Sequence, residues 1–322
     1  MPKVSVCVPT MRCGGLDVLV AGLTGQTFKD FELVICDALW NWRQGIFDEV
    51  PFMVKHLPPR PGGLYVFPTT QFCRQANTAL AAASGEIVLF ITDYTWLPPD
   101  CLERHVRFHE EQVDGNGVLM LAHEYRVPQF SPRFPKYQNA DTNLYVEDLA
   151  FGRLGTFKWS TFEDLGDPES YPKDTTQDWD PKSYNLPGPC DPSYFHGKNE
   201  SMLLKWAIEA NGWNEALDGT HCYQDTEFAD RLAKLFQLDW QVGLGSKAII
   251  LNPRGVFPWG RRLRPVESNH ALWQYYRGTH FKGPVNSWLL STGESHQAGL
   301  ESLREAEAFF EIPSNWWPGH DR

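Results

Sequence analysis

No apolar run in this 322-residue chain approaches the roughly 20 residues that a helix needs to cross a bilayer. Its opening, MPKVSVCVPTM, has neither the charged nor the apolar region of a secretory leader, and the expectation is a cytoplasmic protein. The seven cysteines are odd in number and form no CxxC pair, so neither a disulfide framework nor a zinc site is indicated. A GK[ST] phosphate loop is missing, as is a convincing GxGxxG turn, which removes the main support for a nucleoside triphosphatase or a dinucleotide dehydrogenase. Positive charge is also scarce. With 29 Lys and Arg against 40 Asp and Glu, the net charge of −11 argues against a general nucleic-acid or anionic-membrane binder.

What is present describes a folded globular protein: 42% hydrophobic and 21% charged residues, in a chain long enough for one large domain or two modest ones. Thirteen tryptophans is a high count. They can fill a core or line a sugar site, and the count alone does not choose. One local basic cluster, RGVFPWGRRLR (254–264), reads either as a ligand-covering loop or as a solvated one.

The first half alternates strand and helix patterns. KVSVCVP (3–9), FELVICDA (31–38) and EIVLFIT (86–92) are short apolar, β-branched runs, the pattern of buried parallel strands. Between them, LDVLVAGLTGQ (16–26) has helix-spaced apolar residues. TTQFCRQANTALAAASGE (69–86) has a threonine N-cap candidate, an alanine-rich body and a glycine stop. Residues 41–70 read as loop-rich, with HLPPRPGG (56–63) unable to hold regular structure. Such a β-α-β-α-β order predicts a parallel sheet with right-handed crossovers. A helix over about 99–112 and a strand over 117–127 follow, then a long irregular stretch, 128–195, of the length usually kept for function. Helical patterns return at 200–212 and 225–236, and an amphipathic one closes the chain at 298–311.

Asp37 and Asp93 stand at the C-terminal ends of successive predicted strands, where an open α/β sheet binds ligands. Asp37 can hydrogen-bond a base or ribose, or merely cap its turn. Asp93, in the turn TDYT, is the one acid where a metal site would usually offer two.

Four separated segments carry a family resemblance in the right order. VSVCVPT (4–10) resembles the opening strand of family 2 glycosyltransferases, and QTFKDFELVICDA (26–38) their Q-T-x-x-x-x-E-[IL]-[IV]-V-x-D stretch. RQANTALAAASGEIVLFITD (74–93) resembles the helix and strand before the metal motif, and NGWNEALDGTHCYQDTEFADRL (211–232) the G-G-F-D-E … E-D block. The resemblance covers roughly residues 3–240. It implies a GT-A type, Rossmann-like mixed and mainly parallel sheet flanked by helices. The expected organisation is a nucleotide-binding half (1–127), an acceptor half (128–240) and a C-terminal extension (241–322).

The resemblance further implies a nucleotide-diphosphate sugar donor, a UDP-sugar foremost, and a glycan or other hydroxyl acceptor. Inverting transfer needs a base for the acceptor proton and charge stabilisation on the departing diphosphate. Asp225 matches the family's base, though it also suits a simple helix cap, and Glu227 is the alternative base or an acceptor ligand. Pro9, Thr10, Asp37, Arg74, Asp93 and Trp213 fall at donor-binding positions. His196, Gly197, Asn199 and Asn214 fall near the sugar. Two departures stand out. Gln224-Asp225 replaces the usual E-D, and alignment through PPD (98–100) puts the two metal-turn acids on Thr92 and Tyr94, with Asp93 between them. One carboxylate with phosphate oxygens and waters can still hold Mg²⁺ or Mn²⁺. His270, or less well His221, would complete that shell, and Arg261, Arg262 or Arg264 could cover the diphosphate instead. The missing acid leaves a catalytically inactive nucleotide-sugar or glycan binder as the rival. A nucleotidyltransferase is a weaker one, since TMRCGG (10–15) has a single arginine where a basic signature loop is needed.

Overall fold

Apolar side chains alternate along three central strands, and the alternation feeds two cores, one on each face of a sheet. In the computed structural model, which describes residues 1–10, 16–38, 40, 43–60, 71–93, 95–112, 116–121, 125–127, 188–218, 223–243, 249–251 and 274, the order begins β1 (Val4–Thr10), α1 (Leu16–Thr24), β2 (Phe31–Asp37), β3 (Met53–Leu57), α2 (Phe72–Ala82) and β4 (Ile87–Phe90). It continues with β5 (Thr95–Trp96), α3 (Cys101–Glu111), β6 (Gly117–Leu121), β7 (Tyr125–Val127), β8 (Gly188–Pro189), β9 (Glu200–Leu203) and α4 (Leu204–Glu209). α5 (Gln224–Leu235), β10 (Asp239–Gly243) and β11 (Ile249–Leu251) complete it.

Among the described residues, eight strands form the main sheet in the order β3-β2-β1-β4-β9-β6-β10-β8. β3, β2, β1 and β4 are mutually parallel, while β9 runs antiparallel between β4 and β6. A second sheet, β5-β11-β7, has three strands. Val4, Val6 and Val8 of β1, with Leu33 and Ile35 of β2 and Ile87 and Leu89 of β4, meet α1 and α3 on one face. Cys7, Val34, Val88 and Phe90 meet α2 and α5 on the other. At about 25 cal/mol per Å² of apolar area removed from water, these two layers are the main source of stability.

Buried polar groups fix the register. Glu32 accepts hydrogen bonds from Ser5 Oγ (2.6 Å) and from Ser84 N–H (2.7 Å), and pairs with Lys55 at 2.8 Å, tying β1, β2, β3 and the α2–β4 turn together. Burial opposes ionisation of Glu32, yet Lys55 and the serine donors outweigh it and hold its carboxyl below the ordinary value. Gln26, the glutamine of the Q-T stretch, is buried; its amide donates to Gly22, Leu97 and Pro98 carbonyls and its Oε1 accepts from Leu102 N–H. That residue therefore staples the PPD turn and the start of α3 to the end of α1.

Several expectations need correction. The stretch 41–70 contains β3, whose half-exposed edge pattern hides the usual strand alternation. The strand predicted over 117–127 is two strands, β6 and β7, in different sheets. Residues 200–203 of the predicted 200–212 helix are β9, because hydrogen bonding between β4 and β6 outcompetes helical propensity. β10 pairs with β6 across residue 240, so the sheet takes the first residues of the segment expected to be an extension. Helix α2 has Gln71 at its N-cap without a side-chain bond, and Asp218 caps it from afar by accepting from Cys73 N–H (2.8 Å) and Arg74 N–H (3.2 Å). α2 ends before Gly85; a Cβ at Gly85 would lie 2.7 Å from Ser5 N, so this glycine serves close approach to β1 instead. The candidate helix 298–311 lies outside the described residues.

Candidate active site

Parallel strands deliver their C-terminal ends to one edge, and three of the expected residues meet there. Thr10 pairs in register with Asp37 across β1 and β2. Its hydroxyl donates to Asp93 Oδ2 at 2.7 Å, just beyond β4. Asp93 is only 3% exposed, and Pro9 is half-buried beside Thr10. Asp37 is fully buried, with Arg43 Nη1 at 3.2 Å and His56 Nε2 at 3.0 Å. This corrects the expectation of an Asp37 open to a base: both its oxygens are already engaged. Losing one partner of such a buried pair costs about 3–5 kcal/mol.

A second group joins α2 to the NGWNEA segment. Arg74 donates through Nη1 to Glu215 Oε2 (3.1 Å) and through Nε to the Arg60 carbonyl (2.9 Å), while Arg60 also pairs with Glu215. Burial and the nearby Arg74 charge lower Arg60 to about 10, against the pull of Glu215. The Arg74 guanidinium is thus committed to protein partners, a correction to its expected hold on the nucleoside. Trp213, 1% exposed, stacks on Phe228 with centroids 4.8 Å apart and meets Phe72, Phe90 and Phe195. Its backbone N–H donates to Asn77 Oδ1 (2.7 Å) and its carbonyl accepts from Asn77 Nδ2 (2.8 Å). Trp213 is a core residue, not a ligand-facing one. Asn214, also buried, caps the 215–217 turn through Ala216 N–H.

The third group is the start of α5. Tyr223 adopts a left-handed φ of +68° and turns the chain into the helix. Asp225 follows in the first turn, partly exposed at 28% of its side chain. Its Oδ1 accepts from Thr226 N–H at 2.9 Å and its Oδ2 lies 3.5 Å from His196 Nδ1. Burial pushes the carboxyl up, but His196, the Thr226 N–H and the Lys198 charge together hold it below the ordinary value, so Asp225 is ionised at neutral pH. Glu227 is fully buried and locked to Arg231 Nε at 2.9 Å, which removes it as an alternative base. Arg231 also donates to the Ala210 and Gly212 carbonyls, so the pair braces the NGW turn. Gln224, at the position of the family's first acid, is 6% exposed and directed at the Leu217 carbonyl.

β9 runs antiparallel to β4 with Phe90 opposite Glu200, so the turn 196–199 lies beside residues 91–93. Asp225, reached through His196, and Asp93 therefore belong to the same edge. Among the described residues no three His, Cys, Asp or Glu are arranged to hold a metal. The donor set fits a hard cation shared with phosphate and water, not a cage built by the protein. His270, His221, Tyr94, Arg261, Arg262, Arg264 and residues 128–187 lie outside the described residues. Sequence reasoning missed Arg43, His56, Arg60, Glu215 and Lys198 as parts of these clusters. Their partners are far along the chain or on another element, and no local pattern announces them.

An open α/β sheet thus gathers Thr10, Asp37 and Asp93 at one edge, with a partly exposed aspartate at a helix start beside it, at the place where such sheets bind ligands. Residues 5–166 match the family described as Glycosyl transferase family 2, half of the chain. The chain belongs to that family and is a glycosyltransferase that moves a sugar from a nucleotide-sugar donor. In the solved structure of S. aureus TarS 1–349 in complex with UDP-GlcNAc, 13% identical, the alignment covers 94% of this chain and 70% of that one with a TM-score of 0.54, and the shared GT-A fold follows. The Pyrobaculum calidifontis mannosyltransferase PcManGT in complex with GDP-Man and Mn²⁺ is 14% identical, covering 95% and 74%, with a TM-score of 0.48. No curated protein matches the chain.

Proposed function

We propose that the protein is an inverting transferase in which Asp225 is the general base and the donor is a nucleoside-diphosphate sugar, a UDP-sugar in the first instance. The observation that carries this reading is the state of Asp225: partly exposed, ionised, and set at a helix N-terminus on the same sheet edge as Asp93. A helix start favours the carboxylate, and a positioned base is worth on the order of 10²–10⁴ in rate. The acceptor hydroxyl gives its proton to Asp225 as its oxygen forms the new bond to the anomeric carbon. The bond to the diphosphate breaks, and its electron pair leaves on phosphate oxygen.

Asp93, steadied by the Thr10 hydroxyl, would hold Mn²⁺ or Mg²⁺ together with the donor's phosphates. When bound, such a cation neutralises charge on the departing diphosphate. In this reading Asp37 works through Arg43 and His56, as the fixed wall of the nucleoside end, and Glu215 with Arg60 and Arg74 fixes the turn before α5. Cys7, Cys36, Cys73, Cys101 and Cys190 are free thiols, and burial suppresses the ionisation of Cys7, Cys36, Cys73 and Cys190, which suits a reducing compartment such as the cytoplasm. The single acid of the Asp93 turn favours one rival, binding without turnover. Incubation with UDP- and GDP-sugars, in Mn²⁺ or in EDTA, decides between them. Release of nucleoside diphosphate supports the enzyme; saturable binding with no release across donors and acceptors supports the rival.

A further inference from the structure

The turn between the Pro192–Tyr194 helical turn and β9 is held more tightly than a connection requires. Two of its residues, Gly197 (φ +67°) and Asn199 (φ +61°), are left-handed. A Cβ on Gly197 would stand 2.9 Å from Trp213 Cη2, so the turn is pressed against the aromatic core. Asn199 Oδ1 accepts from His105 Nε2 (3.1 Å) and from Cys101 Sγ (3.2 Å), both on α3. Glu200 Oε1 accepts the His196 backbone N–H at 3.1 Å. Strain that the surroundings over-determine is a mark of functional segments. What this anchored turn presents is the imidazole of His196, 22% exposed, with Nδ1 at 3.5 Å from Asp225 Oδ2.

We propose that His196 is the positioning residue of the transfer reaction, its Nδ1–H holding Oδ2 of Asp225 while the Thr226 N–H holds Oδ1, so that one free lone pair faces the acceptor hydroxyl. This deepens the general-base reading above and rests on it. His196 neither gains nor loses a proton; the acceptor's proton goes to Asp225. The charged and titratable groups around Asp225 support the assignment. From the turn come His196 and Lys198. The Pro192–Tyr194 turn packed on α5 brings Tyr194 and, before it, Asp191, whose Oδ1 is occupied by Ser193 N–H. On α5 itself Glu227 is committed to Arg231, and at the start of β9 Glu200 accepts from the His196 backbone. Against the upward push of burial, His196, the Thr226 N–H and Lys198 all favour the charged form of Asp225, which agrees with its lowered pKa.

The test is independent of knowing the substrate. The ¹³C-carboxyl titration of Asp225, assigned by its loss in Asp225→Asn, is followed in the wild type, His196→Phe and His196→Asn. Phenylalanine keeps the ring volume without a donor, and asparagine restores an N–H near the Nδ1 position. The expected result is an inflection about one unit higher in His196→Phe, the size of shift an adjacent cation or donor produces, and a return towards the wild-type value in His196→Asn. Should His196→Phe fail to fold, His196→Ala takes its place. An Asp225 inflection that is the same in wild type and in the variants lacking the donor overturns the proposal. In parallel, nucleoside diphosphate released from UDP-GlcNAc and GDP-mannose is measured. His196→Phe is expected to lower kcat about tenfold with KM unchanged and to raise the acid limb of the pH profile. An Asp225→Asn protein as active as wild type would sink the base reading itself, whereas an unmoved Asp225 titration sinks only the role of His196.

Discussion

α3 carries a buried polar chain that makes a quantitative demand on stability. His105 Nε2 lies 3.1 Å from Asn199 Oδ1, its Nδ1 lies 2.7 Å from Ser201 Oγ, and His109 Nε2 lies 2.8 Å from the same hydroxyl. Asn199 Oδ1 only accepts, so His105 donates from Nε2 and its bare Nδ1 accepts the Ser201 proton. Ser201 Oγ must then accept from His109 Nε2–H, which leaves His109 Nδ1 bare, and that atom has no hydrogen-bond partner. The chain closes with both imidazoles neutral. Burial accordingly lowers His105 to about 4 and, with the added charge of His105, His109 to about 3. A histidine depressed in the folded state stabilises fully above its unfolded value near 6.5, and that stability is lost as pH falls from there towards the folded value. For His105 the difference integrates to roughly 2.5 kcal/mol between pH 7.5 and 4.5. Urea unfolding, followed by tryptophan fluorescence, gives the free energy against pH for wild type and His105→Gln. The variant starts lower at pH 7.5 because it loses part of the hydrogen-bond chain. The gap should then close by roughly 2.5 kcal/mol on going to pH 4.5. Two parallel curves would refute the neutral-pair account.

Other substitutions separate scaffold from site. Glu227→Ala strands the buried Arg231 guanidinium and should cost about 3–5 kcal/mol, read as a large loss of thermal stability; a stable but inactive Glu227→Ala would argue for a direct catalytic part. Trp213→Ala should cost about 3–5 kcal/mol through the cavity it leaves among Phe72, Phe90, Phe195 and Phe228. Titration calorimetry on the variant, if it remains folded, should show donor affinity little changed. Thr10→Val removes the hydroxyl from Asp93 and should raise the Mn²⁺ concentration needed for half-maximal donor hydrolysis; an unchanged metal requirement would detach Asp93 from the cation.

Short apolar, β-branched runs made β1, β2 and β4 legible because both faces of these strands are buried under helix layers. β3 was hidden by its edge position, with Lys55 and His56 carrying polar partners where a central strand would carry valines. β9 was hidden because ESML runs directly into the helical LKWAIE, and its strand state depends on neighbours more than 75 residues away in sequence. Residue type and order placed Thr10, Asp93 and Asp225 at element ends, which a sequence pattern marks, and their roles belong to the proposed function. Whether a matched position is open to a ligand depends on burial and on partners from other elements. Trp213, Glu227, Arg74 and Asp37 all match donor or base positions, yet each is committed to the protein's own interior. Gln26 is a motif residue of the same structural kind, its amide satisfying the Gly22, Leu97 and Pro98 carbonyls.

The proposed reaction rests on a single ionised carboxylate at the start of α5 that takes the acceptor's proton. Its most direct test compares wild type with Asp225→Asn, both checked for folding and for binding of the donor, in release of nucleoside diphosphate from UDP-GlcNAc and GDP-mannose with Mn²⁺. The account predicts a loss of about 10²–10⁴ in kcat with donor affinity retained. Turnover by Asp225→Asn at the wild-type rate would contradict it.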